Sequence, residues 1–88
     1  MSELASLLEF PCAFPIKVMG RNGIGFEALV SDIVFRHAEL FDGEEVSARA
    51  SGSGNFLSVT ITINALSREQ LDSIYLDLTA TEKVLMAL

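Results

Sequence analysis

Gly20-Arg21-Asn22-Gly23-Ile24-Gly25 is the stretch of this chain with the most chemistry to offer. Glycines at 20, 23 and 25, just ahead of an apolar-periodic segment, expose backbone N–H groups at the positive end of a helix. Such a turn suits an anion or a small carboxylate. Arg21 adds a full positive charge. Gly20, Arg21, Asn22, Gly23 and Gly25 are therefore the candidate ligand-binding residues, and the ligand they suit is a small molecule. The same glycines would equally serve a tight strand-to-helix turn without any ligand. Their spacing is not the dinucleotide fingerprint.

The other reactive side chains stand alone. His37 is the only histidine and Cys12 the only cysteine. Metal sites and nucleophilic centres need several such groups together. No Ser-His-Asp or paired-carboxylate pattern stands out either. The sequence therefore assigns no catalytic residue, no metal and no cofactor, and the chain reads as non-enzymatic. His37 falls near a helix C-terminus, where positive charge is favoured. Cys12, beside Pro11, reads as a small buried side chain.

A second surface comes from alternation. Leu57, Val59, Ile61 and Ile63 interleave with Ser58, Thr60, Thr62 and Asn64. This is the period of a half-buried strand, apolar towards a core and hydroxylated on its other face. Folding does not require that second face. Lys17, Met19, Phe56, Ser58, Thr60, Thr62 and Leu85 are expected to share it and form the candidate interaction surface.

The elements that must position these residues follow from periodicity. Residues 1–11 are a lead-in, with Leu4, Leu7 and Leu8 at helical spacing, and residues 12–88 form one domain. Cys12 to Met19 alternates as a strand, with Pro15 expected near its start because proline cannot donate to a sheet ladder. A helix is expected over residues 24–38, where Phe26, Leu29, Val30, Ile33 and His37 recur at three- and four-residue steps. A weaker strand follows, in which Val46, Ala48 and Ala50 alternate with Glu45, Ser47 and Arg49. Residues 51–55 are a hairpin connection in ordinary turn chemistry, and a strand follows over residues 56–65. Ser67-Arg68-Glu69-Gln70 has the form of a capping box ahead of Leu71, Ile74, Tyr75 and Leu78. Residues 81–88 close the chain as a strand, with Val84, Met86 and Leu88 expected inward. The order β-α-β-β-α-β is the ferredoxin-like arrangement of class α+β. Two helices cover one face of a four-stranded antiparallel sheet and leave the other open. The last strand lies at a sheet edge without the charge or proline that usually blunts one. Such an edge suits pairing with a partner or a second copy, or coverage by residues 1–11.

Composition bounds the partners. Eighty-eight residues with 50% hydrophobic and 20% charged side chains make one ordinary globular domain. No apolar run is long enough to span a membrane, and the acidic start at Met1-Ser2-Glu3 is unlike a signal peptide. A lone cysteine suits a reducing, cytoplasmic setting. The net charge is −6, and the six basic residues are scattered along the chain. Nucleic-acid affinity depends on clustered Lys and Arg, so neither nucleic acid nor an anionic membrane is an expected partner.

Two resemblances bear on function. Residues 18–26 are similar to the phosphate-cradling loop of acylphosphatases, which share the size and element order expected here. That family places an arginine directly after the phenylalanine. Here Glu27 follows Phe26 and would repel the anion, and the loop is one residue short. Asn55 or Asn64 would be the counterpart of the family's water-orienting asparagine. An acylphosphatase-like hydrolase is the enzymatic alternative. Gly54-Asn55-Phe56 also resembles the start of an RNA-recognition motif, but Ser58 and Thr60 stand where stacking aromatics would be needed.

Over nearly the whole chain the sequence resembles the YbeD-like family of small bacterial proteins of unknown function. The matching motifs are Leu8-Glu9-Phe10-Pro11-Cys12, Phe14-Pro15-Ile16-Lys17-Val18-Met19-Gly20, Arg36-His37-Ala38, Gly54-Asn55-Phe56-Leu57-Ser58-Val59-Thr60 and Ser67-Arg68-Glu69-Gln70-Leu71. The resemblance implies an ACT-like version of the ferredoxin-like fold. It also implies a regulatory or interaction module that acts through a protein partner, self-association or a small ligand. It carries no catalytic residues. Glu39 stands where the family often has proline.

Overall fold

The computed structural model describes residues 9–88. The lead-in helix expected around Leu4, Leu7 and Leu8, and any cover those residues give the sheet edge, lie outside the described residues. The elements run β1 (Cys12–Arg21), α1 (Phe26–Phe35), β2 (Ser47–Ala50), β3 (Phe56–Ala65), α2 (Arg68–Thr79) and β4 (Val84–Ala87). The strands lie in the order β2-β3-β1-β4, with every neighbouring pair antiparallel. This is the ferredoxin-like architecture the periodicity called for. Its spine is the β1–β3 ladder, unbroken from Cys12 opposite Ala65 to Arg21 opposite Phe56.

Two-residue alternation on the strands and three- or four-residue spacing on the helices meet in one core. Ile16, Val18, Val59, Ile61 and Ile63 point from the sheet at Val30, Ile33, Val34, Ile74 and Leu78 of the helices, all buried. Each such side chain contributes about 1.5–3 kcal/mol through removal from water.

Helix α1 is shorter than its sequence pattern. Gly25, at φ 86°, sits in the left-handed region and becomes the N-cap, so the helix begins at Phe26 rather than residue 24. At the other end Arg36, His37 and Ala38 turn their N–H groups onto Ile33 and Val34 carbonyls and end it. Helix α2 begins as its capping residues dictate. The Ser67 hydroxyl accepts the Gln70 N–H at 3.1 Å. Gln70 reaches back to the Leu66 N–H at 2.7 Å, one residue further than in the usual reciprocal box. Its amide nitrogen donates to the His37 carbonyl at 2.9 Å. The two helices are joined again where His37 Nε2 lies 2.9 Å from Asp77 Oδ2, with Arg36 3.7 Å from the same oxygen.

Two details of the sheet depart from expectation. Pro15 is the fourth residue of a central strand, opposite Thr62. The Lys17 N–H and C=O both bond Leu88, towards β4, at 3.0 and 2.7 Å. Backbone direction repeats every second residue, so the donor Pro15 lacks would point the same way, beyond the end of β4. The β1–β3 ladder is therefore left whole.

The second departure is a bulge. Met19 pairs with Met86 but Gly20 pairs with Val84, leaving Leu85 as the extra residue. Val84 and Ala87 therefore pack on the core, whereas Met86 and Leu88 are 50% and 68% exposed. The inward placement of Met86 and Leu88 is corrected accordingly. Strict alternation fails across the bulge.

Candidate functional site

The register fixes which side chains share the open sheet face. Met86, Met19, Ser58 and Arg49 form one row from β4 to β2, by the pairings Met19–Met86, Met19–Ser58 and Arg49–Ser58. Lys17, Thr60 and Ser47 form the next row, and Arg21 stands opposite Phe56. Lys17 is exposed, Met19 is 39% exposed, and Phe56, Ser58, Thr60 and Thr62 are half-buried. Lys17, Ser47, Ala48, Arg49, Ser58 and Thr60 line a trough of about 370 Å³ across β1, β3 and β2.

Three of the six basic residues are scattered in sequence but share one face of the fold. Folding brings Lys17 and Arg49 to one trough, with Arg21 further along the same strand face. Among the described residues, the ion pairs use Arg36, His37 and Arg68, and neither Lys17 nor Arg49 joins one.

The glycine-rich turn lies at the end of this face, and its residues divide by task. Gly20 is buried inside β1, not in the turn. A Cβ there would collide with the Phe26 ring and come within 2.6 Å of the Lys83 carbonyl. Gly20 therefore serves close packing rather than a ligand, which corrects its place among the binding candidates. Asn22 is committed to the hairpin, its backbone N–H bonding the Asn55 carbonyl at 2.8 Å and its side-chain amide the Gly54 carbonyl at 3.0 Å. Gly25 supplies the left-handed cap, and Gly23 has open space around it.

A cleft of about 400 Å³ remains beside the turn, lined by Arg21, Asn22, Gly23, Ile24 and Phe26 together with Glu82, Lys83 and Leu85. Two cations and one carboxylate, Glu82, thus line a mainly apolar hollow, whose wall includes the fully exposed Ile24. Leu85, expected among the strand hydroxyls, is the bulge residue and lines this cleft instead. Met86 takes the position on the open face opposite Met19. Glu27, where the acylphosphatase family has its arginine, is exposed in the first turn of α1; of the two asparagines, Asn64 pairs with Ala13 at the far end of β3, whereas Asn55 lies beside the turn, its carbonyl bonded by the Asn22 N–H. With a carboxylate in place of the arginine, nothing in this arrangement supports an acylphosphatase site.

Arg49, Met86 and Lys83 were not singled out from sequence. Arg49 could have been found by extending the hairpin register from residues 51–55, which places it opposite Ser58. Met86 and Lys83 depend on the bulge, for which an all-apolar strand gives no sign. Cys12 is half-buried and packs against the core. Among the described residues there is no cluster of His, Cys, Asp and Glu fit to hold a metal, and no helix long and apolar enough to cross a membrane.

Comparison with solved structures agrees on the architecture. Protein HP0495 from H. pylori superposes with a TM-score of 0.71 at 12% identity, covering 92% of this chain and 85% of that one. The ACT domain of GTP pyrophosphokinase from Chlorobium tepidum superposes at 0.63 with 14% identity, covering 86% and 81%. At these identities the likeness is one of fold, and the fold is ACT-like. Sequence relatives are nearer. The UPF0250 protein of Ectopseudomonas mendocina is 49% identical over 92% of this chain and 89% of its own. That of Paraburkholderia phymatum is 42% identical over 94% and 93%. The profile of a protein family of unknown function, DUF493, matches residues 5–88, and with these relatives it establishes that the chain belongs to that family, the YbeD-like UPF0250 proteins.

Proposed function

We propose that this protein is a non-catalytic regulatory or interaction module that works by contact, through the open face of its sheet. The observation that carries the reading is the makeup of that face. One side of the sheet is sealed by α1 and α2, while the other presents Met19 and Met86 in one row beside Lys17, Arg49 and a field of hydroxyls. Part-exposed methionines among polar groups suit an adaptable protein contact better than a reaction centre. The occupant is a protein partner or another copy of the chain. A reducing, cytoplasmic setting suits its single unpaired Cys12.

Affinity capture with three baits tests this. A partner, or the chain itself, should be held by the wild type and by Leu76→Asp on the exposed side of α2, and lost with Met19→Asp/Met86→Asp. A capture profile unchanged by the double variant would count against the reading.

A second reading is favoured by the cleft at the turn, where Arg21 and Lys83, with Glu82 beside them, line a hollow large enough for a small carboxylate or phosphate. A thermal-shift screen of such compounds should find one that stabilises the wild type but not Arg21→Gln. No stabilisation by any of them would remove it.

A further inference from the structure

We propose that the trough between Lys17 and Arg49 seats an acidic, amphipathic segment of a partner protein. The inference rests on the open face being the contact surface and adds the chemistry of what it contacts. The chain is acidic overall, and although carboxylates also lie in the loops, Glu44 and Glu45 just ahead of β2 among them, the charge within the elements is divided between the two layers. The four strands carry Lys17, Arg21 and Arg49 and not one carboxylate. The two helices carry Glu27, Asp32, Glu69, Asp72 and Asp77 against Arg68 alone. An acidic partner is therefore repelled by the helical layer and drawn to the sheet, so the charge distribution sets orientation as well as attraction.

The trough supplies the complementary groups. Lys17 on β1 and Arg49 on β2 flank β3, two strand spacings apart and one row offset, or roughly 12 Å between backbones, with Ser58 and Thr60 between them. That separation suits two carboxylates on one chain, and the hydroxyls can bond a backbone lying across β3. Met19 and Met86, in the same row as Arg49, offer the apolar side chains of that segment a place to pack. RNA would use the same cations, but it needs aromatic platforms, and the central positions hold Ser58 and Thr60.

Fluorescence anisotropy at low ionic strength tests the inference on the whole chain. The probes are a fluorescein-labelled Glu-Leu repeat peptide and a labelled oligo-uridylate. The wild type should bind the peptide and release it as salt is raised. Lys17→Gln/Arg49→Gln should weaken binding about tenfold, and Lys17→Glu/Arg49→Glu should abolish it. Arg68→Glu, which alters charge on the helical layer, should bind as the wild type does. Absence of peptide binding, equal loss in Arg68→Glu, or tighter binding of the oligo-uridylate would overturn the proposal. So would self-association in sedimentation that the Lys17→Glu/Arg49→Glu variant abolishes, because the occupant would then be a second copy. A partner captured through Met19 and Met86 but held equally by Lys17→Glu/Arg49→Glu would overturn the acidic-segment inference and leave the binding-module reading in place.

Discussion

The ring of Phe26 lies directly over the backbone of Gly20, so closely that no side chain larger than hydrogen fits beneath it. This contact closes the start of α1 onto β1 and β4 together, because the Lys83 carbonyl walls the same spot. The three glycines of the turn region therefore differ in kind, and their alanine variants should separate. Gly20→Ala must displace a buried ring or a strand and should cost about 1–3 kcal/mol or more. Gly25→Ala meets no neighbour but holds a left-handed φ, at a cost of about 1–2 kcal/mol. Gly23→Ala has neither problem and should lie within about 0.5 kcal/mol of the wild type. Urea midpoints measure all three, and equal losses would refute the separation.

Gln70 ties the start of α2 to the end of α1. It accepts from Leu66 and donates to the His37 carbonyl, while its own N–H is capped by Ser67. Ser67→Ala removes the cap and should cost about 1 kcal/mol. Gln70→Ala should cost about 1–3 kcal/mol, because it strips partners from two backbone groups at once. The His37–Asp77 contact joins the same two elements, with side chains 27% and 33% exposed. In a double-mutant cycle of His37→Ala and Asp77→Ala it should show about 0.5–1 kcal/mol of coupling. A coupling of zero would mean that the His37–Asp77 contact adds nothing to what Gln70 and the Arg36–Asp77 ion pair already hold.

What could be read in the sequence was what local chemistry decides. Ser67 and Gln70 announce the start of α2 because a cap is satisfied within four residues. Residues 57–64 announce β3 because polar and apolar side chains strictly alternate. Val84-Leu85-Met86-Ala87-Leu88 is apolar at every position, so nothing in it distinguishes one register from the next. The bulge is set by pairing with β1, and it moved Leu85 to the cleft and Met86 to the open face. The Lys17–Arg49 trough was hidden for a related reason. Its members come from strands that meet only across β3, so scattered cations in the chain became neighbours in the sheet. Gly20 looked like a turn residue because a missing Cβ serves a turn and a close contact equally well.

Tyr75 reports on the helical layer. Burial pushes its phenol above the ordinary value of 10.0, because the phenolate is disfavoured away from water. Above pH 10 the unfolded chain ionises first, so this contribution to stability is complete below pH 10 and is lost as pH rises towards the folded value. It is the only tyrosine and there is no tryptophan, so absorbance at the phenolate band has a single source. The native protein should titrate above 10.0 and the urea-unfolded chain at about 10. Coincident curves would show that α2 leaves Tyr75 in water.

Thr60 and Ile61 are adjacent on β3 and face opposite ways. Ile61 is fully buried against the helices, and Thr60 lies half-buried on the open face between Lys17 and Ser47. Ile61→Ala leaves a cavity that the close-packed core cannot fill and should cost about 2–5 kcal/mol. Thr60→Ala removes a hydroxyl from a surface that water reaches and should cost less than about 1 kcal/mol. The reverse pair is more telling. Thr60→Ile suits a strand and should leave stability nearly unchanged while enlarging the apolar patch beside Met19. Ile61→Thr buries a hydroxyl among aliphatic side chains and should cost about 2 kcal/mol or more. If Thr60→Ile were the more damaging of the two, the sheet would be sealed on its hydroxyl side, and both the open face and the function proposed for it would be lost.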